Sequence, residues 1–162
     1  MIDGTYGVNP SHLSIPEIDI FSNHYYPTDN AKLSADIASV ASANKTYIVG
    51  EYDWIGNNPS SSSLDSFFEI IESRQKLPNP VVVGDQPWSL FGHNAPDCGS
   101  WVQHNDGFTL HYNDPSSPEL HKSQIKKIRR HFWRLLGKEV GLELPAAPCP
   151  GPLSSSSYVL VK

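Results

Sequence analysis

The apolar positions of the chain fall into three short blocks, and a longer stretch with helical spacing follows each block. Blocks 17–22 and 46–51 contain the β-branched and aromatic residues that are typical of strands. Block 80–85 contains three consecutive valines, which predicts a strand buried on both faces. Because strands that alternate with helices form parallel sheets through right-handed crossovers, the pattern predicts an α/β fold with three βα units.

The three predicted helices cover 29–44, 64–76 and 118–136, and a long loop over 86–117 precedes the third. Serines before the second helix offer N-caps, and the lysines and arginines within 121–136 predict a solvated basic face on the third. The expected buried faces consist of apolar residues three or four positions apart: Leu33, Ile37, Val40 and Ala41 in the first helix, and Ile125, Ile128, Phe132 and Leu135 in the third.

Length and charge narrow the classes of protein that the chain can represent. Its 162 residues are enough for one domain, which we expect over 1–145, and a tail rich in proline and serine covers 146–162. The net charge of −5 disfavours a nucleic-acid partner. No apolar run is long enough to span a membrane, and the first residues lack the basic and apolar regions of a signal peptide.

The sequence gives no sign of a metal or a cofactor. Cys98 and Cys149 belong to no zinc-binding pattern, and they fit either one disulfide or two free thiols. The glycine-rich motifs that bind dinucleotides or nucleotide phosphates are absent. We therefore predict a protein without cofactor or metal.

Chemically capable side chains follow all three strands at their C-terminal ends. His24 and Tyr26 follow the first strand, Glu51 ends the second, and Trp88 follows the third. Because parallel strands bring these ends to one edge of a sheet, where barrel enzymes form their active sites, we expect the four residues to cluster. Considered one at a time, each has a structural explanation as a loop charge, a buried histidine or a core aromatic residue.

Other residues near the strand ends leave their interpretation open. Glycines at positions 50 and 84 predict that a ligand or another backbone approaches closely. His93, Trp101 and His104 lie in the long loop, where they could either line a binding site or pack against the surface.

The segments HYY, VGEYDW and GDQPW, in this order after the three strands, resemble the last three βα units of glycoside hydrolase family 5, and in particular its fungal endo-β-1,4-mannanase-like members. The resemblance covers about residues 3–145. It implies strands six to eight of an incomplete (β/α)8 barrel from a secreted, and hence extracellular, retaining enzyme. The implied substrate is a β-linked polysaccharide of plant or fungal cell walls.

The resemblance also implies residue roles that agree with the chemistry. Glu51 would be the nucleophile of a retaining mechanism, and a tyrosine hydroxyl such as that of Tyr26 can keep that carboxylate ionised and aligned. His24 would orient both carboxylates of the retaining pair, and the flat indole of Trp88 would cover a sugar ring. Further residues expected to contact substrate are Tyr25, Trp54 and Asp85.

The second carboxyl group of a retaining mechanism has no evident candidate. It should lie about 5–5.5 Å from the nucleophile. The family that the chain resembles uses a glutamate that follows an asparagine on the fourth strand, and the chain contains no Asn-Glu pair. Asp53 would lie beside Glu51 and not across the scissile bond, and Asp85 matches a position that does not serve as the acid. We therefore expect the chain to be inactive without an N-terminal part of the barrel.

Two alternatives from other classes remain open. The chain could be a non-catalytic remnant that binds carbohydrate through Trp88 and Tyr26, or a small open α/β domain with an unrelated ligand. An incomplete barrel would leave both outer strands without neighbours. Its concave face would carry side chains such as Val49 and Val82 or their alternates.

Overall fold

A sheet of four parallel strands forms the centre of the computed structural model, which describes residues 2–3, 7–56, 58–94 and 98–146. The strands are β1 (Ile2–Asp3), β2 (Ile20–Tyr25), β3 (Thr46–Asp53) and β4 (Val82–Trp88), and they lie side by side in chain order. All three pairings are parallel, with β3 between β2 and β4. The predicted α/β class and the central position of the second predicted strand are confirmed.

Three helices follow the strands, close to the predicted positions. They are α1 (Asn30–Ser42), α2 (Leu64–Gln75) and α3 (Glu119–Leu135). The Asp29 side chain caps α1 by accepting a hydrogen bond from the Lys32 amide at 2.9 Å. Ser63 caps α2 in the same way, as the serines of this segment predict, so two of the helix starts are fixed by local sequence.

The strands end later than the sequence pattern predicts. The predicted segments 17–22 and 80–85 correspond to strands that extend to Tyr25 and Trp88. In β2 the alternation of buried and more exposed residues continues through polar positions, because Asn23 is buried although it is polar. His24 and Trp88, which were expected just beyond the strands, are therefore strand residues.

The helices cover only one face of the sheet. Tyr47, Val49 and Val82 are buried on this face, whereas Val83 is 51% exposed. The prediction that the valine-rich strand is buried on both faces is therefore wrong, since no element of the described residues covers the second face of β4. Successive side chains of a strand point to opposite faces, so the open face carries the alternates, Ile48 and Val83, and not Val49 and Val82.

Two helix positions differ from the predicted buried faces. Ala41 in α1 is exposed, and Phe132 in α3 is 37% exposed. Their apolar neighbours Ile37 and Ile128 are buried as expected. His131, one turn after Ile128 in α3, is fully buried although it is polar.

The edge of the sheet beside β2 is not unpaired. Ile2 pairs with Ile20 and Asp3 with Phe21, so the short strand β1 occupies the place that was expected to be empty. On the opposite edge, no strand of the described residues pairs with the outer side of β4.

The segment 86–117 was predicted to be a loop, and it contains more structure than that. Strand β5 (Leu90–Phe91) pairs with β6 (Leu110–His111) in a second small sheet. A bridge also joins His93 to Trp101. Cys98 in this segment is disulfide-bonded, and Cys149 lies outside the described residues, as do residues 147–162 of the predicted tail.

A buried group of charged residues joins β4 to the two helices beside it. The His131 ring is fully buried, with Nδ1 2.9 Å from Glu72 Oε1 and Nε2 3.2 Å from Asp85 Oδ1. Arg134 donates to both oxygens of Glu72, and Tyr52 donates to Asp85 Oδ2 at 2.8 Å. Each ring nitrogen of His131 therefore faces the carboxylate of a different residue.

No helix of the described part of the chain is long and apolar enough to cross a membrane. Within the same residues, no group of three or more histidine, cysteine or acidic side chains is arranged to hold a metal ion.

The Glu72 contacts predict a specific response to acid. Burial raises the pKa of Glu72, but hydrogen bonds from Arg134 and His131 outweigh it and lower the pKa below the ordinary value of 4.5. The stabilisation is therefore fully present above about pH 4.5 and is lost as the pH falls through the lowered pKa. We expect Glu72→Gln to reduce the free energy of unfolding by roughly 3–5 kcal/mol at pH 7, and by progressively less below pH 4.5.

Urea titrations at pH 7, 5, 4 and 3 measure this difference. Glu69→Gln is the matched control, because Glu69 is an exposed glutamate of the same helix. A difference between wild type and Glu72→Gln that stays constant down to pH 3 would contradict the assignment.

Candidate active site

Glu51 lies on the open face of the sheet, near the C-terminal end of the central strand. Tyr26 donates a hydrogen bond to Glu51 Oε2 at 3.2 Å, and His24 Nδ1 lies 3.6 Å from the same oxygen. The Glu51 side chain is 34% exposed, so solvent or a ligand can reach it. The expected cluster of His24, Tyr26 and Glu51 is therefore present.

An irregularity in the strand pairing allows His24 and Glu51 to meet. The register between β2 and β3 shifts between Asn23 and Tyr25, and that between β3 and β4 shifts between Val49 and Glu51. Asn23 faces the helices, where its amide donates to Asp36 Oδ2 at 2.7 Å. His24 therefore lies on the opposite face, with Glu51.

Gly50 permits the close approach of β2 at this point. A Cβ atom at position 50 would lie 2.7 Å from the Asn23 carbonyl oxygen and from Ser22 Oγ, and 2.8 Å from a carbon of the His24 ring. The predicted close approach is thus present at Gly50. At Gly84 a Cβ would meet no protein atom within 4 Å, so no backbone of the described residues approaches closely there.

Tyr26 is held as a hydrogen-bond donor. Burial and the neighbouring charge of Glu51 raise the pKa of the Tyr26 phenol well above its ordinary value, so the hydroxyl keeps its proton. The ring packs edge-on against Phe108, with 4.9 Å between the ring centroids. The phenol therefore presents its proton to Glu51 from a fixed ring.

Trp88 lies at the end of β4, beyond the residue that pairs with Glu51. The register pairs Glu51 with Gln86 and Asp53 with Trp88. The Trp88 side chain is 38% exposed, and its indole Nε1 donates to Asp106 Oδ2 at 2.5 Å. The partly exposed indole thus lies at the end of the strand next to β3, and an exposed aromatic face suits a flat ligand such as a sugar ring.

Asp106 is a component that the sequence analysis does not anticipate. Burial raises the pKa of Asp106, but hydrogen bonds from the Phe108 amide and the Trp88 indole outweigh it, so the pKa is lowered. The His104 ring contributes in the same direction, with Nδ1 3.5 Å from Asp106 Oδ1. The Asp-Gly pair at 106–107 signals a turn, but the sequence does not indicate which strand end that turn reaches.

Three residues predicted to contact substrate lie elsewhere. Tyr25 is buried and donates to Asp36 Oδ2 at 2.8 Å, on the helix side of the sheet. Trp54 is buried as well, and its indole donates to the Phe108 carbonyl. The Asp85 side chain is 1% exposed and belongs to the buried charged group. Tyr25 follows the alternation of β2, which places it on the covered face with Asn23. Asp85 reaches that face because the pairing of β3 and β4 is irregular: Tyr47 pairs with Val82 but Ile48 pairs with Gly84, so the alternation is broken at Val83.

Asp53 and Asp106, the other carboxylates near the Tyr26 phenol, accept hydrogen bonds from residues of their own loops or from Trp88. Asp53 is buried and accepts a hydrogen bond from the Ile55 amide at 2.8 Å, as expected for a residue that caps the loop. Asp106 is tied to Trp88, and its lowered pKa makes it a poor proton donor at neutral pH. Neither carboxyl group is placed as a general acid for Glu51.

The other aromatic residues of the long loop mainly contact each other. His93 and Trp101 stack with 3.9 Å between their ring centroids, which agrees with surface packing. His104 is different, because its ring packs edge-on with the Trp88 ring, with 5.9 Å between the ring centroids. Of these three residues, His104 is the one in contact with the candidate site.

The chain is similar to proteins that are named as mannosidases, although no family model matches it. It is 26% identical over 138 residues to a probable mannan endo-1,4-β-mannosidase C of Aspergillus terreus. Solved structures similar to it include a glycoside hydrolase family 5 mannosidase from Rhizomucor miehei, at 15% identity with a TM-score of 0.45, and a mutant of that enzyme, at 14% with a TM-score of 0.44.

These matches are partial. The curated match covers 75% of this chain and 33% of the Aspergillus protein, and the structural match covers 75% of this chain and 39% of the Rhizomucor enzyme. The resemblance to fungal mannanases that the strand-end motifs indicate is confirmed. The chain spans between a third and two fifths of the length of these relatives.

The tight contact at Gly50 predicts a position-specific effect. We expect Gly50→Ala to lower the free energy of unfolding by about 1–3 kcal/mol, the usual cost of overpacking, because the new methyl group meets backbone that cannot rotate away. Gly84→Ala on the neighbouring strand is the control, since its methyl group has space. Urea denaturation measures both, and equal midpoints for the two variants would show that β2 and β3 are not in close contact at Gly50.

Proposed function

We propose that the chain is part of a retaining glycoside hydrolase that cleaves β-1,4-mannan, and that it carries the nucleophile side of the active site. The observation that carries this proposal is the placement of Glu51, at the end of the central strand and in contact with Tyr26 and His24. The partial similarity to a probable mannan endo-1,4-β-mannosidase supports the choice of substrate.

In this proposal β2, β3 and β4 are strands six, seven and eight of a (β/α)8 barrel, and β1 takes the place of strand five. The parallel order β1-β2-β3-β4 supports the assignment, as do the helices that follow β2, β3 and β4. The outer side of β4 would then meet strand one of the preceding part of the barrel. That part is the proposed partner of this chain, and extracellular action follows from the family that the motifs resemble.

The site residues divide the chemistry among them. The Glu51 carboxylate attacks the anomeric carbon, the glycosidic C–O bond breaks, and the leaving oxygen takes a proton from a general acid. Tyr26 keeps the attacking oxygen aligned through its hydrogen bond, and His24, which lies near the same oxygen, limits rotation of the carboxylate. Trp88 supports the apolar face of the sugar. Water then hydrolyses the glycosyl ester and restores Glu51.

The general acid is proposed to lie on the preceding part of the barrel, because Asp53 and Asp106 are used locally and Asp85 lies on the covered face. A second candidate function, carbohydrate binding without catalysis, is favoured by the same observation together with the exposed indole of Trp88. The two functions share one sugar site and differ in whether Glu51 forms a covalent bond.

An activated substrate separates these functions, since a good leaving group departs without a general acid. We expect 2,4-dinitrophenyl 2-deoxy-2-fluoro-β-mannobioside to label the chain slowly at Glu51, which peptide mass spectrometry would detect. Glu51→Gln should abolish the label, and the exposed Glu69→Gln should leave it unchanged. Saccharide binding without any label on Glu51 would support the binding function and contradict the proposed nucleophile.

With natural mannan we expect the chain alone to show no turnover above background. General acid catalysis typically contributes about 10²–10⁴-fold, and the opposite side of the sugar cleft is also lacking in this proposal. Release of reducing ends measures the turnover, with Glu51→Gln as the blank. Rapid hydrolysis that depends on Glu51 would show that an acid within this chain serves the reaction.

A further inference from the structure

We propose that Asp106 is a positioning residue that couples the Trp88 indole to the Glu51 carboxylate, through the Phe108 ring and the Tyr26 phenol. The inference rests on the proposed function, because it matters only if Trp88 and Glu51 act on the same sugar. It adds a residue that lies outside the strands and touches no substrate.

The first contact of Asp106 fixes the Trp88 indole. Its Oδ2 accepts the Trp88 Nε1 hydrogen at 2.5 Å, which is a hydrogen bond to a charged acceptor. Trp88 is 38% exposed, and the His104 ring contacts it with 5.9 Å between the ring centroids, so packing covers only part of the indole. The bond at the indole nitrogen adds a directional contact that sets the orientation of the ring face.

The second contact fixes the turn that carries Phe108. Asp106 Oδ1 accepts from the Phe108 amide at 2.9 Å and from Thr109 Oγ1 at 3.3 Å. On its other side, the Phe108 carbonyl accepts from the Ser89 amide at 3.2 Å and from the Trp54 indole. Phe108 is thus held from both directions, and its position follows that of Asp106.

Phe108 completes the connection to the nucleophile. Its ring lies edge-on to Tyr26 at 4.9 Å, and Tyr26 donates to Glu51 Oε2 at 3.2 Å. One oxygen of the Asp106 carboxylate therefore holds the Trp88 indole, and the other holds Phe108, whose ring packs against Tyr26.

An asparagine at position 106 cannot make both contacts. It has nearly the same shape as aspartate, but one of its two polar atoms is an NH2 donor. If the amide oxygen accepts from Phe108, the NH2 group faces the Trp88 N–H, and two donors oppose each other. If the amide flips, the turn loses its acceptor. Asp106→Asn therefore breaks the coupling with a minimal change in volume.

The first experiment follows Trp88 in the full chain. The chain has four tryptophans, so a ¹H–¹⁵N spectrum contains up to four indole signals, and the one lost in Trp88→Phe belongs to Trp88. In Asp106→Asn we expect this signal to move upfield. Asp114→Asn is the matched control, because Asp114 accepts from the Ser116 amide and hydroxyl in another loop, at 2.8 and 2.7 Å. It should leave the Trp88 signal in place.

The second experiment measures mannohexaose binding by calorimetry. We expect Asp106→Asn to raise Kd about tenfold, the effect of losing one hydrogen bond to a charged group. In a Trp88→Phe background the same change should have no further effect, because the indole donor is already absent. A merely structural role for Asp106 would weaken binding equally in both backgrounds.

The connection to Glu51 is tested by the rate of labelling with the activated mannobioside. Phe108→Leu keeps the turn and removes the ring edge against Tyr26, so it should slow labelling while leaving the Trp88 indole signal unchanged. If Asp106→Asn does not fold, Asp106→Ser replaces it, since a serine hydroxyl can cap the turn without reaching the indole.

The outcomes separate the inference from the function on which it rests. If Trp88→Phe and Glu51→Gln leave mannohexaose binding unchanged, the proposed sugar site is wrong. If they weaken binding but a folded Asp106 variant keeps wild-type affinity and the wild-type indole signal, the positioning role is overturned. Equal losses with and without the Trp88 indole would also overturn it.

Discussion

The close approach of β2 and β3 at Gly50 is the constraint on which the candidate site depends. A β-carbon at this position would lie within 2.7 Å of the Asn23 carbonyl oxygen, so the two strands can keep this spacing only around a glycine. The approach brings the His24 ring beside β3 and allows Tyr26 to reach across to Glu51. The geometry of the candidate site is thus a consequence of backbone packing one residue before the carboxylate.

The two faces of the sheet are used differently. The face covered by helices buries aromatic residues and also closes over polar groups, among them Asn23 with Asp36 and the His131 group. The open face carries the side chains that could act on a ligand. Such a division agrees with part of a barrel, in which one side of each strand faces the helices and the other faces the interior.

Sequence reasoning predicted the helices and the parallel order because both depend on local periodicity and on chain connectivity. It also placed His24, Tyr26 and Glu51 together, since strand ends meet at one edge. It failed at Tyr25, where strand alternation turns the side chain to the face opposite that of His24, and at Asp85, where the irregular pairing of β3 and β4 breaks the alternation. Asp106 was missed for a different reason: the way a long loop folds back depends on tertiary contacts, here with Trp88 and Ser89.

The buried group of charged residues around His131 fixes the register with which β4 pairs with β3. Among the described residues β4 pairs with β3 alone, and its run of valines would tolerate a shift by one residue as far as burial is concerned. Such a shift would turn Asp85 to the open face and leave the enclosed imidazole with one carboxylate instead of two. The buried charge of Asp85 thus favours one register between β3 and β4, although burial of the valines alone would make two registers nearly equivalent.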